Sequence, residues 1–372
     1  MDVLAEATRL EAAGRSIVHM EVGQPGAPAP SAVLEAARAV LEHGRLGYTE
    51  ALGRGALRAR IAQHYRDTYC VAVSPDNVVV TTGSSAGFVL AFLAGFDAGA
   101  RIALPSPGYP AYRNILKAVD LVPVEIETTA DTRWALTPEH LERACSDGPI
   151  AGVLVASPAN PTGTMMEPDA LAALIAKAHE LGMWFVSDEI YHGLAYDGRR
   201  AATALETSPD AIIVNSFSKY YCMTGWRIGW MVVPDRLVRP IERLAQNLFI
   251  SVPDLSQRAA LAAFGARPEL EAVREVYAEN RALLLDRLPK LGFETILPAD
   301  GAFYLYADIT PFADDSVLFA RELLQQAGVA VTPGPDFDRV HGHRFVRFSL
   351  AGHHADMIEG MDRLAAFLAG RG

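Results

Sequence analysis

From residue 77 onward, short runs of β-branched and other apolar residues alternate with segments of helical period. The strand-like runs fall at 77–81, 101–104, 122–126, 150–156, 184–188, 212–217 and 228–233, and helical patterns lie between several of them, as at 85–96, 138–144 and 168–181. This alternation predicts right-handed crossovers and a mostly parallel sheet with helices on both faces. Ligands of such sheets bind at the carboxyl ends of the strands, so chemistry is sought there.

The two ends of the chain read differently. Residues 2–13 form an amphipathic helical pattern, a Gly/Pro-rich passage (21–30) reads as an ordered loop, and a helix follows at about 31–43 with Ser31 as its N-cap. Beyond a long helical pattern at 268–290, strands are expected near 293–296, 302–307 and 344–349, with helices at 316–327 and from His354. The expected organisation is an N-terminal segment (1–45) packing with the small domain, a large domain (46–267) and a small C-terminal α+β domain (268–372).

Composition narrows the class. Half of the 372 residues are hydrophobic and the charged fraction is 21%, enough for large cores and incompatible with wholesale disorder. With 44 acids against 33 bases the net charge is -11, which argues against a nucleic-acid footprint. The apolar runs, such as that around 89–96, fall short of the ~20 residues that cross a bilayer. The first residues, MDVLAEATRLEAAGR, lack the basic start and apolar stretch of a secretory leader. Three cysteines without metal-type spacing fit a reducing compartment, so a cytoplasmic protein is expected. The histidines at 341, 343, 353 and 354 have no supporting Cys or carboxylate spacing, and no metal is expected.

Each strand end then carries its own signal. Strand 77–81 runs into Thr82-Gly83-Ser84-Ser85-Ala86-Gly87, a glycine/serine turn at a helix start, which is an anion site when the helix N–H groups are free. The same residues match the G-x-S-x-G nucleophile elbow of hydrolases, with Ser85 as nucleophile. Strand 101–104 leads to PSPGYPAY, with Tyr109 at the tip and able to stack on a planar ring. Strand 150–156 leads to SPANPTG, where Asn160 is flanked by prolines. Strand 184–188 ends in Asp188, whose buried charge needs a partner, followed by Glu189 and Tyr191. Strand 212–217 leads to NSFSKYYCMTGWRIGW, with Ser216, Ser218, Lys219 and Arg227 among apolar neighbours. An amine nucleophile or phosphate contact (Lys219) and a forked phosphate donor (Arg227) fit this cluster better than a solvated basic pair. Together these features suit a planar, phosphorylated, nitrogen-containing aromatic aldehyde, a description that pyridoxal 5'-phosphate (PLP) meets.

The chain resembles the class I/II aminotransferases, PLP enzymes of fold type I in the aspartate aminotransferase superfamily. The resemblance rests on EVGQPG, GYTEALG, TTGSSAG, SPGYPAY, NPTG, SDEIY, SFSKYYCMTGWRIGW and RFVRFSLA, in this order across nearly the whole chain. It implies a seven-stranded, mostly parallel sheet in the large domain and PLP as cofactor. It makes Lys219 the Schiff-base lysine, Asp188 the partner of the pyridine nitrogen, and Tyr191 and Asn160 the donors to the ring's phenolic oxygen. Tyr109 becomes the stacking aromatic, and Ser84, Ser85, Ala86, Ser216, Ser218 and Arg227 the phosphate site. Tyr48 would reach the neighbouring subunit's phosphate, which implies a homodimer with shared active sites. Arg347 would clamp the substrate α-carboxylate, with Asn160 and with Gly23 in the loop that closes over it. The implied activity is ping-pong transfer of an amino group from an L-amino acid to a 2-oxo acid. A carbon–sulfur β-lyase on the same fold is the alternative, the Ser85 hydrolase a remote one, and a non-catalytic binding protein lacks the added domain or missing lysine it would need. Ser85-Ala86 stands where many relatives carry a longer polar side chain, which leaves more of the phosphate to backbone N–H groups.

Overall fold

The computed structural model describes residues 2–370. Seven strands form the central sheet: β1 (Val78–Thr81), β2 (Arg101–Ser106), β3 (Val122–Glu127), β4 (Gly152–Ala156), β5 (Trp184–Asp188), β6 (Ile212–Ser216) and β7 (Gly229–Val232). Their spatial order is β1-β7-β6-β5-β4-β2-β3. All neighbours run parallel except β7, which is antiparallel to both β1 and β6.

Period-two alternation sends the two faces of this sheet into separate cores. Val78, Val80, Val153, Phe185 and Ile213 point into one, with Leu57 and Ile61 of helix Gly55–Tyr69 and Leu171 and Leu174 of helix Pro168–Glu180. Val79, Leu154, Val186 and Val214 point into the other, with Phe88 and Phe92 of helix Gly83–Gly95 and Leu237 and Ile241 of helix Asp235–Leu248. Buried on both sides, the strands read as near-continuous apolar runs.

The small domain carries an antiparallel sheet of β8 (Tyr304–Asp308), β9 (Thr332–Pro333) and β10 (Phe345–Ser349), in the order β9-β10-β8. Helices Arg267–Lys290, Ser316–Ala327 and His354–Ala369 complete it. Val18–His19 pairs in parallel with Val329–Ala330, which ties the N-terminal segment to this domain.

Four local expectations change. No strand forms at 293–296. That stretch makes one isolated bridge, Ile296 with Ala307, and the pairing stops after Leu297 because Pro298 has no N–H to continue it. Ser31 is the first residue of its helix rather than the cap, and its hydroxyl and N–H both donate to the Glu269 carboxylate, at 2.6 and 2.9 Å. That helix, Ser31–His43, lays Val33 and Ala37 into a core of the large sheet, although the sequence grouped it with the small domain. The helix after β1 starts at Gly83 instead of residue 85, because Gly83 turns the chain at φ +73°. Among the described residues no helix is long and apolar enough to cross a membrane, and no group of side chains could hold a metal ion.

Candidate active site

The site lies at the carboxyl ends of β1, β2, β4, β5 and β6. β7 runs the opposite way, so its beginning, not its end, arrives there, and Lys219 and Arg227 sit on the single connection between β6 and β7.

Asp188 closes β5 at 3% exposure. Its Oδ1 accepts the Ile190 N–H at 3.0 Å, and its Oδ2 accepts the Tyr112 hydroxyl. Burial pushes its carboxyl up to about 6, against the pull of these donors and of Lys219. Lys219 donates its ammonium to the Gly23 carbonyl. Burial, with Arg347 and Arg227 nearby, lowers its amine to about 8, while Asp188 opposes the shift. An amine so placed reaches its neutral, nucleophilic form near ordinary pH.

At β1, the helix starting at Gly83 has no side-chain cap. The N–H groups of its first turn, at Gly83, Ser84 and Ser85, therefore have no partner within the helix. Arg227 lies against this turn so closely that a Cβ on Gly83 would sit 2.4 Å from its Nη2. Arg227 is exposed and donates to the Thr224 carbonyl at 3.0 Å. Ser216 and Ser218 are buried beside it: the Ser216 hydroxyl accepts the Ser218 N–H at 3.0 Å and lies 2.9 Å from its Oγ.

Arg347 comes from β10 of the small domain and is 6% exposed. Its Nη1 donates to Asn160 Oδ1 at 2.9 Å and its Nη2 to the Glu21 carbonyl at 2.6 Å, while its Nε is buried without a partner. The guanidinium stacks 4.2 Å over Tyr304 and 4.8 Å from Phe337. The Tyr191 and Tyr304 hydroxyls are 3.0 Å apart. Tyr109 is half-exposed, edge-on to Tyr112 with ring centroids 5.3 Å apart.

The structure thus brings together Lys219, Asp188, Asn160, Tyr191, Arg347, Gly23 and Tyr109, and places Ser84, Ser85, Ala86, Ser216, Ser218 and Arg227 at adjoining strand ends. Tyr48 stands apart, in an exposed loop with 84% of its surface free. Sequence reasoning missed Tyr112, Tyr304, Phe337 and the Glu21 carbonyl. Tyr112 lay inside the quoted SPGYPAY run, three residues beyond Tyr109, the spacing that puts two residues on one side of a helical turn.

Behind Asp188 lies a second buried cluster. Glu189 Oε1 accepts from Thr203 Oγ1 at 2.8 Å, Ala204 N at 3.0 Å and Ser187 Oγ at 3.2 Å, so it caps a turn at 203–206. His192 Nε2 faces the Ser157 carbonyl at 3.0 Å, so Nε2 carries the proton and Nδ1 accepts the Tyr69 hydroxyl at 2.8 Å. Burial lowers the His192 imidazole to about 3 and raises the Glu189 carboxyl to about 8.

The donor set fits PLP. Free helix N–H groups and a guanidinium favour an anion at one end, a buried carboxylate favours a protonated nitrogen at the other, and an amine and an aromatic ring lie between. The hydrolase reading finds no support in the geometry. Among the described residues no histidine is hydrogen-bonded to Ser85; His341 pairs with Glu127 and His354 with Asn280.

The family model for aminotransferase class I and II matches residues 15–364. A valine–pyruvate aminotransferase of Mycobacterium tuberculosis is 47% identical over 371 residues, 99% of this chain and 95% of that protein. An aspartate/prephenate aminotransferase of Thermus thermophilus is 34% identical, covering 98% of this chain and 94% of its own length. Among solved structures, an aminotransferase from Mycobacterium tuberculosis superposes with a TM-score of 0.97 at 47% identity, covering 100% of this chain and 96% of the other.

Proposed function

The chain belongs to aminotransferase class I and II, and on that footing we propose that its amino donor is an L-amino acid with an uncharged aliphatic side chain, of the valine class, and its acceptor a small 2-oxo acid such as pyruvate. It is a PLP-dependent transaminase. The donor class is supported by the name of the 47% identical relative and by the charges at the site. The cations acting on Lys219 are Arg347 and Arg227. One faces Asn160 in the carboxylate clamp and the other lies on the Gly83 turn, which leaves neither for a second substrate carboxylate. The stretch 245–257, where some relatives have an arginine reaching across subunits, contains no Lys or Arg and carries Leu248 and Phe249.

In this reading the first-turn N–H groups at Gly83–Ser85 and Arg227 hold the phosphate, with Ser216 and Ser218 shaping the pocket. Asp188 would hold a proton on the ring nitrogen, Asn160 and Tyr191 would bond the phenolic oxygen, and Tyr109 would cover the ring. Bound PLP supplies the electron sink that a carbanion at the substrate Cα requires. Arg347 turns its fork from Asn160 and the Glu21 carbonyl to the α-carboxylate, which it binds through two parallel hydrogen bonds. Lys219 would take the proton from the substrate Cα on its Nζ as general base and pass it to the cofactor's C4'. Gly23 closes the substrate side.

The proposal includes a homodimer and a cytoplasmic setting. Leu46, Tyr48, Leu248 and Ile250 are exposed apolar side chains, and a Thr49 N–H to Ser251 Oγ bond of 3.3 Å joins the two segments that carry them. Such a surface suits a second copy whose phosphate site receives Tyr48. All three cysteines are free thiols. The proposed division ends the large domain near 267 and counts the helix at 31–43 with it, since Val33 and Ala37 pack into its core.

The observation that carries the reading is Lys219, a part-buried amine on which both Asp188 and Arg347 act. The test is the visible spectrum of the purified protein with L-valine, L-aspartate and L-phenylalanine added singly, without oxo acid. Loss of the yellow band with valine first supports the donor class. Equal or faster loss with aspartate overturns it.

A further inference from the structure

Tyr304 belongs to neither the phosphate turn nor the carboxylate clamp, yet it touches both sides of the site. It is the first residue of β8 and 1% exposed. In the β8–β10 register Arg347 stands opposite Tyr306, which puts Tyr304 on the diagonal of the same face. That diagonal puts the Arg347 guanidinium carbon over the Tyr304 ring, 4.2 Å from its centroid. At the far end of the ring the hydroxyl meets the Tyr191 hydroxyl at 3.0 Å. The same hydroxyl lies under the Gly23 backbone, where a Cβ would come within 2.4 Å of it.

Each contact has a separate physical effect. Stacking holds a guanidinium in one plane while leaving its fork edge free for a carboxylate. A hydroxyl beside another hydroxyl fixes which way the second one's proton points, because each has a single proton to give. The charged and titratable groups facing Tyr191 are Tyr304, Arg347, Tyr109 and Tyr112, with the Lys219 ammonium 5.9 Å from its ring. Tyr304 is the one hydrogen-bonded to it.

We propose that Tyr304 is a positioning residue that couples the two halves of the site, its ring aligning Arg347 for the substrate carboxylate and its hydroxyl orienting Tyr191 toward the cofactor's phenolic oxygen. This rests on the roles given to Arg347 and Tyr191 above.

The test uses the holoenzyme and four variants: Tyr304→Phe, Tyr304→Leu, Tyr191→Phe and the double Tyr191→Phe/Tyr304→Phe. Two quantities are read, the pH midpoint of the visible band and the dissociation constant of 2-aminoisobutyrate, which has the α-carboxylate but no α-hydrogen. A donor to the phenolic oxygen favours its anionic form, so its loss raises the midpoint. Y191F is expected to raise it by about one unit, Y304F by about half a unit, and the double variant no further than Y191F. Y304F keeps the ring, so its affinity for 2-aminoisobutyrate stays within about twofold, whereas Y304L weakens it about tenfold by losing the stack. A Y304F midpoint equal to wild type, or fully additive shifts in the double variant, overturns the hydroxyl's role. Unchanged affinity in Y304L overturns the ring's role. A Y191F midpoint equal to wild type removes Tyr191 from the phenolic oxygen and the coupling falls with it, which separates that failure from one confined to Tyr304. Should Y304L fail to fold, Y304F and the double variant still decide the coupling.

Discussion

Asp188 and Arg347 act on Lys219 with opposite signs, and the walls they belong to are assembled differently. The sheet wall is a series of local solutions: each strand of the large domain ends and the next few residues carry the chemistry. The small-domain wall is built from three distant pieces. Arg347 lies on β10, Tyr304 on β8, and the carbonyls of Glu21 and Gly23 come from the start of the chain. The first kind of wall needs only the right loop after the right strand. The second needs the tertiary structure, and its parts hold one another through side-chain stacking and carbonyl contacts.

This contrast predicts that changes in the sheet wall act on turnover and changes in the small-domain wall act on substrate binding. The largest effect is expected at Lys219, shared by both walls. Lys219→Ala should lose about 10⁴-fold in kcat, measured with valine and pyruvate, because the general base is gone. Asp188→Asn should still take up PLP and lose most of its rate, about 10²-fold or more, with KM little changed. Near-normal turnover in that variant would falsify the electron-sink role. Arg347→Ala should act mainly through KM, costing about 10²-fold in kcat/KM as the substrate carboxylate loses its paired donor. A kcat effect as large as that of the Asp188 variant, at unchanged KM, removes the distinction between the walls.

The smallest effect lies behind the sheet wall. The Glu189 carboxyl is pushed from 4.5 up to about 8 by burial. Between those values the folded chain holds a proton that the unfolded chain has released, so stability falls as pH rises through this window. Glu189→Gln keeps an acceptor oxygen for Thr203 and Ala204 and removes the titration. It should be neutral near pH 4.5 and stabilising by about 2 kcal/mol at pH 8.5, read as Tm at both values. A gain of equal size at both pH values attributes the effect to packing.

The same contrast explains what the sequence made legible. Asp188, Asn160, Lys219 and Arg227 each sit within a few residues of a strand end, and strands buried on both faces are easy to see as apolar runs. Arg347 was reached through the resemblance alone, since nothing around RFVRFSLA marks a carboxylate site in isolation. Tyr304 was invisible because its role comes from a cross-strand diagonal and from contact with Gly23, nearly three hundred residues away. Local capping failed for a related reason: Ser31 is the expected residue type, but its partner is Glu269, set by tertiary packing. The strand expected at 293–296 shows the opposite limit, a β-like composition with a proline two residues beyond it and one bridge to hold it.

The N-terminal segment has a mechanical consequence. Met20 is hydrogen-bonded to Ala330 and Ser349 of the small domain, and Ser31 begins a helix whose apolar face belongs to the large domain. Between them, Glu21 and Gly26 are also bonded to the small domain, at Thr332 and Ala351, so the Gly23 carbonyl that receives Lys219 is carried by that domain. The contact between this carbonyl and the lysine is therefore a direct link from one body to the other. Drawing the two bodies apart would break that grip, whereas a cut in the chain between Gly26 and Ser31 would leave it in place.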